Sequence, residues 1–458
     1  MRIAIIGGGA SGVLSVVHLA RFSQGAEGWR GSRPRVILYD DSGRLARGAA
    51  YSTGNPAHLL NVPVGRMSAV ADDPDHFLTW LRRDNPDASC EDYRSRREYG
   101  NYLEHCLATH ARGIGLVVRH SPVSDVIRTA DGWQVVHGRG GDRVDAVVLA
   151  MGFAVPASLP GLAALPGYVA DPWAPDALER LVATIPPGGT VLAVGTGLTA
   201  VDVALSVVPT GRQVVAVSRH ALLPAPQRVT MPAPVELSLA NVPATLTAES
   251  IEGLVRRHVA GVVGVGGDWR AAIEGLRPVT AELWRRLPVG EKAMVLRTTA
   301  RQWETVRHRM APQVARCIDE WRRDGRFEVR RGEVLAAKPA GDQMRVFLRA
   351  NAAGVTHVDA AAVVNCTGPS CEIDRYPLGA KLRERRLVRP DRLGLGIDVT
   401  DDGAAIDSDG NADPTLRVVG ALRRGALYES TAIPELRTQA AQISLIMSGS
   451  AQHVGVSD

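Results

Sequence analysis

The sequence predicts an α/β fold with two parallel β–α–β units, and three observations lead to it. A short apolar strand, a glycine-rich turn and a helix follow one another at the N-terminus. The same order returns at residues 190–208. Each unit is closed, much later in the chain, by an apolar strand that runs into a glycine. Strands and helices that alternate in this way form parallel sheets covered by helices.

Length and composition are those of a globular protein. The chain has 458 residues, enough for two or three domains of about 150 residues. Its 45% hydrophobic and 22% charged residues exclude wholesale disorder. No apolar run approaches the ~20 residues that span a bilayer, so we predict no membrane helix. Five scattered cysteines indicate no disulfide scaffold and a cytoplasmic location.

The charge pattern argues against nucleic acid as a partner. The net charge is +5, and the basic residues, nearly all arginine, are spread among 48 acidic residues without a dense tract. A nucleic-acid-binding face would concentrate its basic residues in a patch or stripe. We therefore interpret most of the arginines as solvated surface residues and expect some of them to bind phosphates or an anionic substrate.

The first unit begins with an apolar strand at residues 2–6 and a G-x-G-x-x-G turn that opens a helix. Gly7 allows the tight turn, Gly9 lets the backbone approach a pyrophosphate, and Gly12 lets helix and strand pack closely. The helix N-terminus offers free N–H groups to phosphates. The predicted phosphate-binding residues are Gly7, Gly9, Ala10, Ser11 and Gly12.

An acidic pair follows the second strand of this unit. Residues 35–39 are apolar and end in Asp40 and Asp41. A carboxylate at this position accepts hydrogen bonds from a ribose diol. The distance of 28 residues from Gly12 exceeds the usual spacing of about 20, and a polar, glycine-rich loop at 23–34 accounts for the excess. The unit therefore predicts a dinucleotide site.

The second unit repeats this pattern with a different ending. A strand at 190–194 leads through a G-x-G-x-x-A turn into a helix that stops at Pro209-Thr210-Gly211. The next strand, 213–217, ends in Ser218-Arg219-His220 without a carboxylate. An arginine there favours the 2′-phosphate of NADPH, which a carboxylate would repel; the alternative for Arg219 is a surface residue without a ligand. The predicted cofactor-binding residues are Gly195, Gly197, Leu198, Thr199 and Arg219.

Two such units in one chain predict two different dinucleotides. Two nicotinamides facing each other would offer no useful redox chemistry, so one of the two is expected to be a flavin. The order of the units, FAD first and NADPH second, is that of two-dinucleotide-binding flavoproteins.

Late apolar strands complete both units. Residues 144–150 lead to Gly152 and close the first, and 361–365 lead to Gly368 and close the second. Hairpin-like stretches at 117–136 and 327–357 precede them. After Gly368 the chain is expected to return to the first unit, where a strand at 416–420 ends in Gly420. A helix that begins near Thr431 and Ala432 would then stabilise negative charge on a reduced flavin ring.

These elements predict a discontinuous FAD domain of residues 1–160 and 371–458. The NADPH domain takes residues 161–370, and within it residues 228–325 form a helical insertion rich in Trp and Arg. The insertion either covers the cofactors and shapes a substrate pocket or merely packs as a helical layer.

Short motifs along nearly the whole chain resemble a family of bacterial FAD/NAD(P)-binding flavoproteins. They lie at residues 48–53, 58–63, 66–68, 97–103, 268–278, 308–312 and 424–437. More distantly, the architecture is similar to class B flavin monooxygenases, including enzymes that hydroxylate the nitrogen of amino acids and diamines. Baeyer–Villiger enzymes of that class carry a linker motif, F-x-G-x-x-x-H-x-x-x-W. The linker at 165–173 lacks its Phe and His, which counts against ketone oxidation.

The resemblance implies a reaction. NADPH would reduce FAD, O2 would add at the flavin C4a position as a peroxide, and one oxygen atom would pass to a small polar metabolite. An amino-acid-like amine hydroxylated on nitrogen is the expected substrate type. Catalysis of this kind needs no metal, and no His or Cys cluster has ligand spacing.

Candidate site residues follow from the resemblance and from side-chain chemistry. Asn61 has a family position near the flavin ring, and His58 precedes it; a turn residue and a structural histidine are the alternatives. Arg309 and Arg424 are candidates to hold a substrate carboxylate or phosphate, with ion pairing as the alternative. Met67 and Val123 complete the expected FAD-binding set.

Three other functions remain open at this stage. A disulfide reductase is conceivable because Cys366 and Cys371 have a C-x4-C spacing, but such a pair normally follows the first glycine motif. An NADPH–flavin reductase or oxidase without oxygenation is the second. The third is a flavin-bearing redox sensor whose insertion binds a partner. The oligomeric state stays undetermined, with a homo-oligomer among the options.

Overall fold

The computed structural model describes residues 1–24, 33–138, 140–350 and 354–448, so most of the loop expected at 23–34 lies outside the described residues. The strands are β1 (Arg2–Ile6), β2 (Arg35–Tyr39), β3 (Gly115–Arg119), β4 (Val123–Thr129), β5 (Gly132–His137), β6 (Gly140–Val144), β7 (Ala146–Leu149), β8 (Tyr168–Val169), β9 (Thr190–Val194), β10 (Gln213–Ser218), β11 (Phe327–Arg331), β12 (Glu333–Ala340), β13 (Gln343–Arg349), β14 (Val355–Ala360), β15 (Ala362–Asn365), β16 (Ala404–Ile406) and β17 (Ala412–Val418). The helices are α1 (Ala10–Gln24), α2 (His76–Leu81), α3 (Arg96–His110), α4 (Ala177–Thr184), α5 (Leu198–Val207), α6 (Ala248–Gly264), α7 (Trp269–Gly275), α8 (Thr280–Arg285), α9 (Val289–Thr298), α10 (Ala300–Arg307), α11 (Pro312–Arg323), α12 (Pro377–Glu384), α13 (Arg424–Leu427) and α14 (Ile433–Met447).

The first sheet has the strand order β16-β17-β7-β1-β2-β3. Its strands are parallel except for β16 at the edge. Helices α1, α3 and α14 cover one face, and the antiparallel sheet β4-β5-β6 covers the other, where Trp133 packs against the sheet. A strand covered on both faces must be apolar throughout, which explains the run Ile3–Ile6. Strand β17 joins β7, so the chain returns to this sheet after the second unit.

The second sheet has the order β11-β10-β9-β15-β8 and is parallel. Helices α5 and α11 pack on one face, and the antiparallel sheet β12-β13-β14 lies on the other. Helix α11 falls inside the 228–325 stretch that the sequence assigns to the insertion. Because Ile318 and Trp321 of α11 are buried in the core of this sheet, α11 belongs to its helical layer instead.

Helices α6 to α10 form the insertion itself. A capping box at Thr247 and Ser250 begins α6, and the Asp268 side chain caps α7. Trp284 and Leu283 of α8 pack in a small core together with Tyr428 of the first domain. The insertion therefore lies against the first domain while its chain connections are in the second. Of the helices in the described residues, none is long and apolar enough to cross a membrane.

His18 of α1 makes the stability of the first domain depend on pH. The ring is buried, and its Nε2 donates to the Ala69 carbonyl at 3.2 Å. Burial lowers the pKa of His18 to about 4. Between pH 6.5 and 4 the unfolded state therefore binds more protons than the folded state. The stability that depends on a neutral His18 is fully present above pH 6.5 and is lost as the pH falls toward 4.

We expect His18→Gln, which keeps a donor for the Ala69 carbonyl, to reduce this acid sensitivity. The wild-type free energy of unfolding should fall by about 3 kcal/mol more than that of the variant between pH 7.5 and pH 4. Burial also lowers the pKa of His58, so the free energy of unfolding of the variant still falls with pH, but less steeply. Denaturant titration at a series of pH values measures the effect, with exposed His120→Gln as the control. Equal slopes for wild type and His18→Gln would refute the assignment.

Candidate cofactor and active site

Four predicted site residues meet at one edge of the first sheet. Strands β1, β2, β7 and β17 run parallel, so their carboxyl ends lie at the same edge. Ligands of open α/β sheets bind outside this edge, where the strand order reverses. The residues that follow these strands are Gly7, Asp40, Gly152 and Gly420.

The first glycine turn admits only glycine at two positions. Gly7 has φ +112°, and a Cβ there would lie 2.3 Å from the Ala150 carbonyl oxygen. A Cβ on Gly12 would lie 1.9 Å from the Gly7 carbonyl oxygen. Helix α1 begins at Ala10, directly after this turn. The turn therefore leaves a helix N-terminus open to an anion, which is the arrangement that binds a pyrophosphate.

Asp40 carries an unpartnered buried oxygen. The residue is 4% exposed, and its Oδ1 accepts a hydrogen bond from Ser42 Oγ at 2.7 Å. Its Oδ2 is buried and has no hydrogen-bond partner, an arrangement that costs about 1–3 kcal/mol. A ribose hydroxyl would satisfy this oxygen, so the residues present fit an FAD nucleotide. Asp41 is exposed, so Asp40 is the better placed of the two.

The start of α14 forms another part of the first site. The Gly420 N–H donates to Gln439 Oε1 at 2.9 Å, and Gln439 Nε2 donates to the Ser430 carbonyl at 2.9 Å. Ala432 precedes the first turn of α14, and Thr431 is exposed beside it. Ser430 Oγ is buried without a partner. The sequence analysis missed Ser430, although a hydroxyl residue just before a helix that begins Ile-Pro is a recognisable signal.

The second glycine turn repeats the geometry of the first. Gly195 has φ +124°, and a Cβ there would lie 2.1 Å from the Cys366 carbonyl oxygen, just as Gly7 lies against Ala150. Gly197 is the N-cap of α5, so Leu198 and Thr199 are its first residues. The strand ends of the second sheet thus form a second dinucleotide cradle.

Arginines surround this second cradle. Arg219 is exposed at the end of β10, and its carbonyl accepts a hydrogen bond from Arg331 Nε at 3.0 Å. Arg301 of the insertion donates to Thr196 Oγ1 at 3.2 Å and to the Leu222 carbonyl at 3.0 Å. Sequence reasoning found Arg219 and missed the other two arginines, because only the strand order and the packing of α10 bring them to the turn.

His58 has a structural position, and its contacts argue against the catalytic role expected for it. The ring is buried, with Nδ1 2.7 Å from Thr53 Oγ1 and Nε2 2.9 Å from the Asp202 carbonyl. Asp202 lies on α5 of the second sheet, so His58 joins a loop of the first domain to the second. Burial lowers the pKa of His58. Both ring nitrogens are already engaged, which leaves none to exchange a proton with a substrate.

The other residues predicted to lie near the flavin differ in burial and in hydrogen bonding. Asn61 is half-buried, and no described group hydrogen-bonds its side-chain amide. Met67 is buried, and its carbonyl accepts a hydrogen bond from Tyr99 Oη at 2.9 Å. Val123 is half-buried at the start of β4. The two glycines that follow the closing strands, Gly152 and Gly368, have φ values of +69° and +97°.

The two arginines proposed to hold a substrate anion are both paired. Arg309 is buried and donates to Glu274 and to the Val306 carbonyl. Glu274 is shared with Arg66 and Arg307, and the Nε of Arg309 has no hydrogen-bond partner. A role of Arg309 toward a substrate anion therefore stays a prediction. Arg424 is half-buried and donates to Glu304 Oε1 at 3.3 Å. Burial would raise the pKa of Glu274, but neighbouring guanidinium groups, Arg309 among them, lower it below its usual value.

The cysteine pair does not have the properties of a reactive dithiol. Cys366 and Cys371 are free and buried. Burial raises the pKa of both thiols, which disfavours the thiolate that attacks a disulfide. Within the described residues, no three His, Cys, Asp or Glu side chains form a group that could hold a metal ion.

Comparison with known proteins supports this geometry. Residues 4–154 match the model of an FAD–NAD(P)-binding family. The matched residues include most of strand β1, strands β2 to β7 and the first glycine turn. No curated protein matches the sequence.

Solved structures share the fold over the full length. L-lysine 6-monooxygenase from Pseudomonas syringae is 16% identical with a TM-score of 0.65, and the match covers 99% of each chain. The ornithine N-hydroxylase of Kutzneria sp. 744 is 15% identical with a TM-score of 0.62, and the match covers 98% of this chain and 99% of that one. Thioredoxin reductase from T. acidophilum is 10% identical with a TM-score of 0.50 and 98% coverage of both chains. The predicted α/β fold with two parallel sheets is confirmed.

Proposed function

We propose that this protein is an FAD- and NADPH-dependent monooxygenase that hydroxylates the nitrogen of an amino-acid-like amine. One observation carries the proposal: two glycine cradles of the same geometry, one with a buried aspartate and the other with arginines at the adjoining strand ends. The likeness of the whole chain to amino-acid N-hydroxylases in fold supports the choice of reaction.

The overall reaction balances as amine, O2, NADPH and H⁺ giving hydroxylamine, NADP⁺ and water. Bound FAD supplies hydride acceptance from NADPH and transfer of one oxygen atom from O2, chemistry that no side chain provides. The protein residues therefore bind, orient and exclude water.

In the first cradle, the chain holds the flavin nucleotide. Asp40 would accept the ribose hydroxyls through its free Oδ2, and the N-terminus of α1 would bind the pyrophosphate. Ser430 and the N-terminus of α14 provide a hydroxyl and a helix dipole for negative charge on the ring.

A buried cluster joins the insertion to the segment before α14. Trp303 Nε1 and Arg307 Nε each donate to Glu429 Oε1 at 3.0 Å. Burial would raise the pKa of Glu429, but Arg307 lowers it below its usual value, so the carboxylate stays ionised near neutral pH. This cluster fastens α10 to the segment before α14.

In the second cradle, Arg219 determines the choice of coenzyme. We expect Arg219→Ala to lower kcat/KM for NADPH about 10- to 100-fold, because it removes a charged hydrogen bond to the 2′-phosphate. The value for NADH, which lacks that phosphate, should change little. Anaerobic flavin reduction by each coenzyme measures both values. Arg316→Ala, at an exposed arginine of the same domain, is the control. Equal losses for NADPH and NADH would rule out this role.

A screen of the purified FAD-loaded protein tests the function. NADPH oxidation and O2 uptake are followed with a panel of amino acids and amines, and the product is analysed by mass spectrometry. We expect one amine to stimulate both rates and to gain one oxygen atom per NADPH. Hydrogen peroxide as the only product for every amine would instead indicate an oxidase. Tight FAD binding without NADPH oxidation would indicate a redox sensor.

A further inference from the structure

The insertion forms a cavity of about 230 Å³ that is about half open to solvent. Its wall comes from helices α6 to α10 and from Tyr428 of the first domain, and it is mostly aliphatic and aromatic. Val255, Leu276, Leu283, Trp284 and Trp303 are among the lining residues. An apolar cavity of about 150 Å³ is large enough to bind benzene. This cavity therefore has room for an aromatic ring or a branched aliphatic chain.

Charged groups on the wall do not leave a free charge for a polar ligand. Glu252 and Arg256 of α6 both line the cavity, and they form an ion pair with each other. A substrate that is charged along its whole length would have to bury those charges against aliphatic side chains, which is costly. An apolar group gains free energy in the same place.

Tyr428 combines two unfavourable features at the cavity wall. Its backbone has φ +60°, which is rare for a bulky residue, and its buried hydroxyl lies beside Arg424 without a well-aligned hydrogen bond. The ring stacks on Trp284 with the centroids 4.7 Å apart, and Trp284 Nε1 donates to the Gly425 carbonyl at 2.7 Å. The tyrosine is thus held in place by its neighbours. Strain and unsatisfied polar groups that a structure holds in this way concentrate at ligand sites.

The cavity borders the segment that leads to α14. Tyr428 lies two residues before Ser430, whose hydroxyl is the other unpartnered group near the start of α14. Trp303, which also lines the cavity, donates to Glu429 between them. A molecule in the cavity therefore lies next to the segment that leads to the first cradle.

We propose that this cavity binds the apolar body of the substrate, so that the substrate is an amine with an aromatic or branched aliphatic group. The inference rests on the proposed function for the reacting nitrogen and goes beyond it by naming the substrate class. It narrows the expectation of a small polar metabolite to an amine that also carries an apolar group.

Binding to the oxidised FAD-loaded protein without NADPH tests the inference apart from turnover. Isothermal titration calorimetry compares 2-phenylethylamine with 1,4-diaminobutane, and we expect the aromatic amine to bind at least about tenfold more tightly. Val255→Phe, which fills the cavity, should weaken its binding about tenfold or more. Val263→Phe, at an exposed position of the same helix, should leave it unchanged. Val295→Phe on α9 fills the cavity from another wall and replaces Val255→Phe if that variant loses FAD.

Ethylbenzene has the same apolar group without the nitrogen, so its binding measures the contribution of the apolar group alone. Val255→Phe should weaken the binding of 2-phenylethylamine and of ethylbenzene to a similar extent, because it removes room for the apolar body that they share. Absence of binding by the aromatic amine, preference for the diamine, or full binding by both filled variants would overturn the inference. Turnover of diamines unaffected by Val255→Phe would also overturn it and leave the monooxygenase proposal standing. Binding as expected without oxygenation of any amine would refute the proposed function alone.

Discussion

Gly195→Ala is expected to abolish reduction by NADPH and to leave FAD in place. The Cβ would lie 2.1 Å from the Cys366 carbonyl oxygen, and the backbone at φ +124° is one that L side chains rarely adopt. The chain would have to move either the turn or the end of β15, and both form the second cradle. We expect kcat/KM for NADPH to fall more than about 100-fold, since a small displacement of a positioned ligand has effects of that size.

Anaerobic stopped-flow reduction measures the NADPH reaction, and flavin absorbance measures the FAD content. Gly211→Ala is the matched control: it has φ +78° in the same domain and open space around it, so it shares the strain without the clash. Normal reduction by Gly195→Ala would contradict the second cradle. Loss of FAD from this variant would show that the two cradles are not independent.

Asp40→Ala is expected to weaken FAD binding about 10- to 100-fold, the effect of removing a charged hydrogen-bond acceptor. The same change removes a buried oxygen that has no partner in the protein. The variant apoprotein should therefore unfold at the wild-type temperature or a higher one. If Asp40 only stabilised the fold, the variant would unfold at a lower temperature. These opposite effects on cofactor binding and on stability distinguish the two roles.

Titration of the apoprotein with FAD, followed by flavin fluorescence, gives the dissociation constant, and calorimetry gives the melting temperature. Asp41→Ala is the control, because Asp41 is the exposed neighbour of Asp40. A wild-type dissociation constant for Asp40→Ala, or a larger loss in Asp41→Ala, would reject the assignment.

Much of the fold could be predicted because the relevant signals are local. The strands at β1, β2, β9 and β10 are runs of apolar residues, and the glycines after β1 and β9 have conformations that only glycine adopts easily. Because parallel strands end at the same edge, the placement of Gly7, Asp40 and Gly420 together also follows from the order of elements.

The extent of the helical insertion was harder to predict from the sequence. The helical pattern was correct for α6 to α10, but it did not show that α11 packs in the second core. Burial of an amphipathic helix depends on which surface covers its apolar face, and every helix of the stretch has some apolar face to offer. The end of the insertion, between α10 and α11, is therefore visible only from how these helices pack.

By itself, the sequence determined the two glycine turns, the acid and the arginine that follow the neighbouring strands, and thus the presence of two cradles. The tertiary structure decided the partners of side chains far apart in the chain. It alone pairs Arg309 with Glu274, joins His58 to Asp202 across the two domains, and brings Arg331 beside Arg219. Backbone conformation follows from near neighbours, whereas burial and ion pairing arise only when distant segments pack against one another.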